Sequence, residues 1–261
     1  DDVVVTNDDL SQPFVRPAVT PSMVLRTSGA YAALGTGLLI GAGVGILGRS
    51  RRTGMNTAMS VALPAFLAVS DIRLDVWGEE NLWRRRPAIF LINHQSELDL
   101  IVVSSLVQRD MTGVVKRELR VNPLAAAMGW LGEFAFVDRS STSNAIHALE
   151  PVVEALRQGR SLGIAAEGHR SDSPMPGPFK VGAFHMAIEA QVPIVPVVIR
   201  NTGDLLPPGA RFVAPGTVQV AVLDPIEPEG LTRESVHERA DALREEFIAT
   251  LVQWPSAEQA D

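Results

Sequence analysis

Two stretches without a single charged side chain, residues 30–48 and 54–70, stand only the basic turn Arg49-Ser50-Arg51-Arg52 apart. No other feature restricts the chain as much. At about 1.5 Å per residue, a helix of the first length reaches roughly across a bilayer core. Two such segments joined by so short a turn predict a helical hairpin. It either spans a membrane or dips into one leaflet, with its basic turn beside anionic headgroups. Gly37, Gly41 and Gly45 repeat at GxxxGxxxG spacing and so share one helix face, an arrangement that lets a second helix come close. Pro64 frees the carbonyl of Ser60 and predicts a kink in the second helix. A buried hairpin in a water-soluble fold is the competing reading, and glycine's low helix propensity in water weighs against it.

Before the hairpin, residues 1–22 carry Asp1, Asp2, Asp8 and Asp9 with Pro13, Pro17 and Pro21. This reads as a polar tail or a linker. A start at Asp1 rather than methionine leaves room for an upstream segment. After residue 70 short apolar runs alternate with amphipathic ones. The predicted strands are 72–77, 88–93, 112–116, 161–166, 194–200 and 217–223. The predicted helices are 97–107, 122–131, 143–158, 180–190 and 232–253. Ile146, Leu149, Val153 and Leu156 recur at helical steps, and Gly159 suits a C-terminal cap. Leu243, Phe247, Ile248 and Leu251 line one face of the last helix. Such alternation argues for an α/β fold, a sheet covered by helices. The organisation is thus tail 1–22, hairpin 23–70 and α/β domain 71–261.

Composition removes several functions. A net charge of −7 speaks against a nucleic-acid partner. With no cysteine there is no thiolate nucleophile, disulfide or thiolate-held metal. No two histidines have metal-ligand spacing, so no catalytic metal is expected. His147, His185 and His237 fall in predicted helices away from the motifs and read as structural or surface residues.

Chemistry gathers in four patches. The first is Ala88-Ile-Phe-Leu-Ile-Asn-His-Gln-Ser-Glu-Leu-Asp99, in which an apolar strand ends and His94 follows at once. Strand carboxyl ends are where open α/β sheets bind ligands. A histidine there can take a proton from a hydroxyl near neutral pH, and an aspartate on its far nitrogen would fix the tautomer. The nucleophile would be the substrate's own hydroxyl. Ser96-x-x-Asp99 equally fits a capping box, in which Asp99 only caps a helix. The second patch is Gly132-Glu-Phe-Ala-Phe-Val-Asp-Arg139, the third Ala166-Glu-Gly-His-Arg-Ser171 and the fourth Val192-Pro-Ile-Val-Pro-Val-Val198. Arg139, Arg170 and Lys116 follow apolar runs and could grip phosphate. Glu167 would face those cations.

In this order the four patches resemble the NHxxxxD, GxxFxxR, EGTRS and VPxxPV blocks of the glycerolipid acyltransferases, over about residues 71–225. Lys116-Arg-Glu-Leu119 and Phe179-Lys-Val-Gly-Ala-Phe-His-Met-Ala187 add to the likeness. The nearest branch is the bacterial 1-acylglycerol-3-phosphate acyltransferases. The resemblance implies a mixed β-sheet covered by helices and preceded by an apolar hairpin that docks on a membrane. It implies acyl transfer from acyl-CoA or acyl carrier protein to lysophosphatidic acid, giving phosphatidic acid for phospholipid synthesis on the cytoplasmic face of the cell membrane, with no cofactor. His94 would be the base and Asp99 its partner. Lys116, Arg139, Glu167, Gly168 and Arg170 would bind the acceptor, and the fourth block would line the acyl or acceptor site. His169 stands where threonine is usual and leaves the headgroup open. Glycerol 3-phosphate or another lysolipid is an alternative acceptor, and a non-catalytic lipid-binding membrane protein is a further alternative.

Overall fold

The computed structural model describes residues 6–116, 121, 123–132, 134–137 and 142–255. Its first elements are α1 (Asn7–Leu10), α2 (Pro21–Leu47) and α3 (Arg51–Ser70). Thr20 caps α2 by accepting from the Met23 amide at 3.2 Å, with Pro21 in the first turn. Ser50 caps α3 in the same way through Thr53. The glycine face meets α3 as its spacing predicts. A Cβ added at Gly37 would sit 2.5 Å from Ala62 Cβ, and one at Gly41 would sit 2.4 Å from the Gly54 carbonyl oxygen. No side chain larger than hydrogen fits between these helices. Pro64 lies inside α3, and the helix continues on both sides of it.

The sheet then builds through β1 (Ile72–Trp77), β2 (Ile89–Ile92), α4 (Leu98–Val107), β3 (Met111–Lys116), α5 (Pro123–Gly132), β4 (Ala135–Val137), α6 (Thr142–Arg157) and β5 (Ser161–Ala165). It is completed by α7 (Gly182–Ala190), β6 (Ile194–Arg200), α8 (Thr202–Leu205), β7 (Gly216–Val222) and α9 (Val236–Val252). The strand order is β1-β7-β6-β2-β5-β3-β4. Only the β6–β7 pair is antiparallel, so the sheet is mixed, as expected. All six predicted strands form. The three-residue β4 has too little sequence to announce itself. The last helix starts at Val236 and not near Thr232, because Thr232 and Ser235 close a turn on each other through reciprocal amide-to-hydroxyl bonds of 3.1 and 3.2 Å.

Strand β2 is buried along its whole length, and its side chains feed two cores by strict alternation. Ile89 and Leu91 enter one, shared with α6, α7 and α9. Phe90 and Ile92 enter the other, shared with α4 and with Met55, Met59, Leu63 and Phe66 of α3. The boundary drawn at residue 70 therefore separates no cores: α3 is one of the layers that cover the sheet. Of the hairpin, α2 is the outer helix and leaves Leu25, Leu39, Ile46 and Leu47 exposed.

The first residues are also more than a tail. Leu10 is buried against α9 in the first core, and its carbonyl accepts from the Met175 amide. The Phe14 amide donates to the Asp172 carbonyl, the Phe14 ring packs on Gly203, and Arg16 reaches the Pro208 carbonyl. Residues 6–20 thus form a strap over the loops that follow β5 and β6. Of the acidic residues that suggested a tail, Asp9 closes a capping box on Thr6, while Asp1 and Asp2 lie outside the described residues.

Candidate active site

Strands β2, β3, β5 and β6 run in one direction, so their carboxyl ends share one edge of the sheet. Chemistry-bearing residues leave each of them: His94 after β2, Lys116 at the end of β3, Glu167 to Arg170 after β5 and Thr202 after β6. Asn93 fastens this edge. Its side-chain amide exchanges two bonds of 2.8 Å with the backbone of Ile199 on β6.

His94 Nδ1 lies 2.9 Å from Asp99 Oδ2. The same oxygen accepts the amides of Gln95 at 2.7 Å and Ser96 at 2.8 Å, and Oδ1 accepts the hydroxyl of Thr202. Asp99 is fully buried, whereas the His94 ring is 16% exposed. Four donors thus surround the carboxylate, three on Oδ2 and one on Oδ1. Surrounded by donors, Asp99 acts as acceptor, so Nδ1 carries the proton and Nε2 presents its lone pair outward. Asp99 thus ties the start of α4 and faces the ring of His94 at once.

The His94 peptide is gripped from both sides. Its amide donates to Glu167 Oε1 at 2.9 Å, and its carbonyl accepts from the Ser171 amide at 2.8 Å. Glu167 is buried, and its other oxygen accepts the Ser171 hydroxyl and the Gly177 amide. It was expected to face cations and the acceptor. The structure instead sets it beneath His94 as a positioning residue, because these bonds offset the cost of burying its charge. Gly168, with φ +76°, turns the chain over Glu167, a conformation glycine adopts without strain.

Arg170 is exposed and paired with Glu97 at 2.9 Å. His169 bonds the Glu167 carbonyl through Nδ1 at 3.1 Å. Lys116 ends β3 on the same edge, with its side chain outside the described residues. Arg139 lies outside them altogether, as does the side chain of His147. His185 and His237 are exposed and away from the dyad. The fourth block forms β6, whose side chains from Ile194 to Ile199 are buried and pack into both cores, save Pro196. Its contribution to the site comes through Thr202 just beyond it. Amides around the start of a helix are natural anion donors. Those of His94, Gln95, Ser96, Leu98 and Asp99 are all engaged within the protein.

Sequence reading missed Thr202, Ser171, Gly177 and the strap. Thr202 follows a strand end as His94 does, and Asn201 before it takes a left-handed turn at φ +74°. The strand-end rule applied to β6 would have found it. The bonds of Ser171 and Gly177 to a carboxylate carry no spacing signature.

The acyltransferase family profile matches residues 73–200. The mouse 1-acyl-sn-glycerol-3-phosphate acyltransferase alpha is 36% identical over 179 residues, which are 68% of this chain and 63% of that protein. The 1-acyl-sn-glycerol-3-phosphate acyltransferase of Saccharomyces cerevisiae is 36% identical over 182 residues, 67% of this chain and 59% of its own length. The chain thus spans about three fifths of the length of these curated relatives. The crystal structure of the 1-acyl-sn-glycerophosphate acyltransferase PlsC from Thermotoga maritima superposes with a TM-score of 0.72 at 23% identity, covering 89% of this chain and 98% of that one. His94, Asp99 and Glu167 all lie inside the matched region, on a shared fold, and that region of the chain, residues 73–200, belongs to the acyltransferase family.

Proposed function

We propose that the protein moves a fatty acyl chain from acyl-CoA or acyl carrier protein to the sn-2 hydroxyl of 1-acylglycerol 3-phosphate, giving phosphatidic acid. The observation that carries this reading is a histidine oriented by a buried aspartate with, among the described residues, no serine beside it free to act as nucleophile. Ser96 Oγ donates to the Leu206 carbonyl, and Ser171 Oγ donates to Glu167. The attacking oxygen therefore belongs to the substrate. The names of the relatives supply the acceptor, and the exposed Arg170 at the same sheet edge supplies a partner for its phosphate.

His94 Nε2 takes the proton of the acceptor hydroxyl as its oxygen attacks the thioester carbonyl. Asp99 stabilises the imidazolium that forms. When the tetrahedral intermediate collapses, the carbon–sulfur bond breaks and the proton passes to the departing thiolate. No acyl-enzyme and no cofactor enter the scheme. Arg170, with Lys116 and Arg139, holds the phosphate so that the hydroxyl meets His94, which is catalysis by positioning. The exposed apolar face of α2 and the basic turn at Arg49 to Arg52 dock the enzyme on the cytoplasmic face of the cell membrane. Helix α2 is long and apolar enough to cross a bilayer by length and composition.

The test is thiol release from palmitoyl-CoA, and from palmitoyl acyl carrier protein, by detergent-purified protein with and without lysophosphatidic acid. Release that requires the acceptor, yields phosphatidic acid and falls at least about a hundredfold in His94→Ala is the expected result. Release without acceptor identifies a hydrolase. Activity that survives in His94→Ala overturns the assignment of the base.

A further inference from the structure

The arginine assigned to the acceptor phosphate is already occupied. Arg170 Nη1 donates to Glu97 Oε1 at 2.9 Å, and both side chains are exposed. Glu97 belongs to the turn that carries His94 and Asp99, three residues after the one and two before the other. It precedes the first residue of α4, yet its carboxylate makes no capping bond to that helix. The side chain is turned across the site mouth to the loop after β5. The contact is a single bond through one guanidinium nitrogen.

We propose that Glu97 is a specificity-determining residue, an internal carboxylate that holds the place of the acceptor's phosphate on Arg170. The inference rests on the reading above that Arg170 binds that phosphate. A headgroup gains the Nη1 side of the guanidinium fork only by displacing Glu97. A phosphate monoester can do so. It carries about −1.5 to −2 charge near neutral pH against −1 for a carboxylate, and its oxygens meet the guanidinium fork two at a time. An uncharged headgroup cannot compete, and the arginine stays paired. Because the pair is exposed, its opposition is small. Removing it should change acceptor affinity by about two- to fivefold, the range that exposed ion pairs cover.

The experiment is steady-state kinetics on the full chain with lysophosphatidic acid as the varied acceptor, for the parent protein, Glu97→Gln, Arg170→Ala and the double variant. The uncharged 1-acylglycerol serves as a second acceptor. Glu97→Gln is expected to lower KM for lysophosphatidic acid by about two- to fivefold. It should leave KM for the thioester unmoved and do nothing for 1-acylglycerol. Arg170→Ala should raise KM for lysophosphatidic acid, and in that background Glu97→Gln should have no further effect. A merely structural role for Glu97 would not produce a gain confined to one substrate and dependent on Arg170. If Arg170→Ala raises KM while Glu97→Gln leaves it the same or raises it, the competitor role is overturned and the phosphate reading stands. If Arg170→Ala leaves KM for lysophosphatidic acid unchanged, the phosphate reading itself is wrong and the proposal goes with it.

Discussion

Asp99 is held through both of its oxygens. One oxygen serves the histidine and two amides, and the other serves Thr202. Replacing Thr202 by valine keeps the shape and removes the hydroxyl. A hydrogen bond to a charged group contributes about 1.5–3 kcal/mol, so kcat should fall about ten- to hundredfold, with Thr202→Ser restoring most of it in steady-state assays. A KM for the acceptor that barely moves would mark the effect as one of positioning. The oxygen that faces the imidazole already accepts two amide protons. Transfer at His94 should therefore move one proton only, and rates measured in mixtures of light and heavy water should fall linearly with deuterium content. A bowed plot would mean that Asp99 shares the proton.

At the scale of elements, α2 and α3 are in contact because three glycines face one helix. Gly41→Leu should destabilise the hairpin by about 1–3 kcal/mol or more through overpacking. Gly43 lies off that face, where an added Cβ meets nothing within 4 Å, so Gly43→Leu should leave the thermal midpoint nearly unchanged. Equal shifts for both would disprove the close approach. This contact could be read from spacing, as could the strands and the long helices, because their periodicities repeat over many residues. What stayed hidden was written in single residues. The three residues of β4 and the Thr232–Ser235 turn are too short for a period to register, and the grip of Glu167 on the His94 peptide depends on a neighbour distant in sequence. The motif located Glu167, but only the fold could show that it points inward. The strap was concealed for a related reason: its acidic residues matched a solvated tail, and its anchors, Leu10, Phe14 and Arg16, are single residues whose partners lie far along the chain.

For the whole molecule, the hairpin is tied to the sheet by charge as well as by apolar packing. Arg52 bonds Asp110 and reaches the Gly159 carbonyl, and Asn56 exchanges bonds with Asp110 at 3.0 and 2.9 Å. The Arg52 guanidinium, aided by Asn56, holds the Asp110 carboxyl down from 3.8 to about 2 against the opposing effect of its burial. A carboxyl lowered on folding stabilises fully above its ordinary value and loses that contribution as pH falls through the folded one. Parent protein should therefore be more stable than Asp110→Asn at neutral pH, and the gap should narrow between about pH 4 and 2 in thermal melts. A gap constant across that window would refute the linkage. The strap has a consequence of another kind. Its partners follow it by long stretches of chain: Arg16 meets Pro208 across 192 residues, while Thr202 reaches Asp99 across 103. On the ribosome the hairpin emerges before Thr202 and Pro208, so the clasp that closes over the dyad arrives after it. A nascent chain can thus display its apolar outer helix before its histidine is braced.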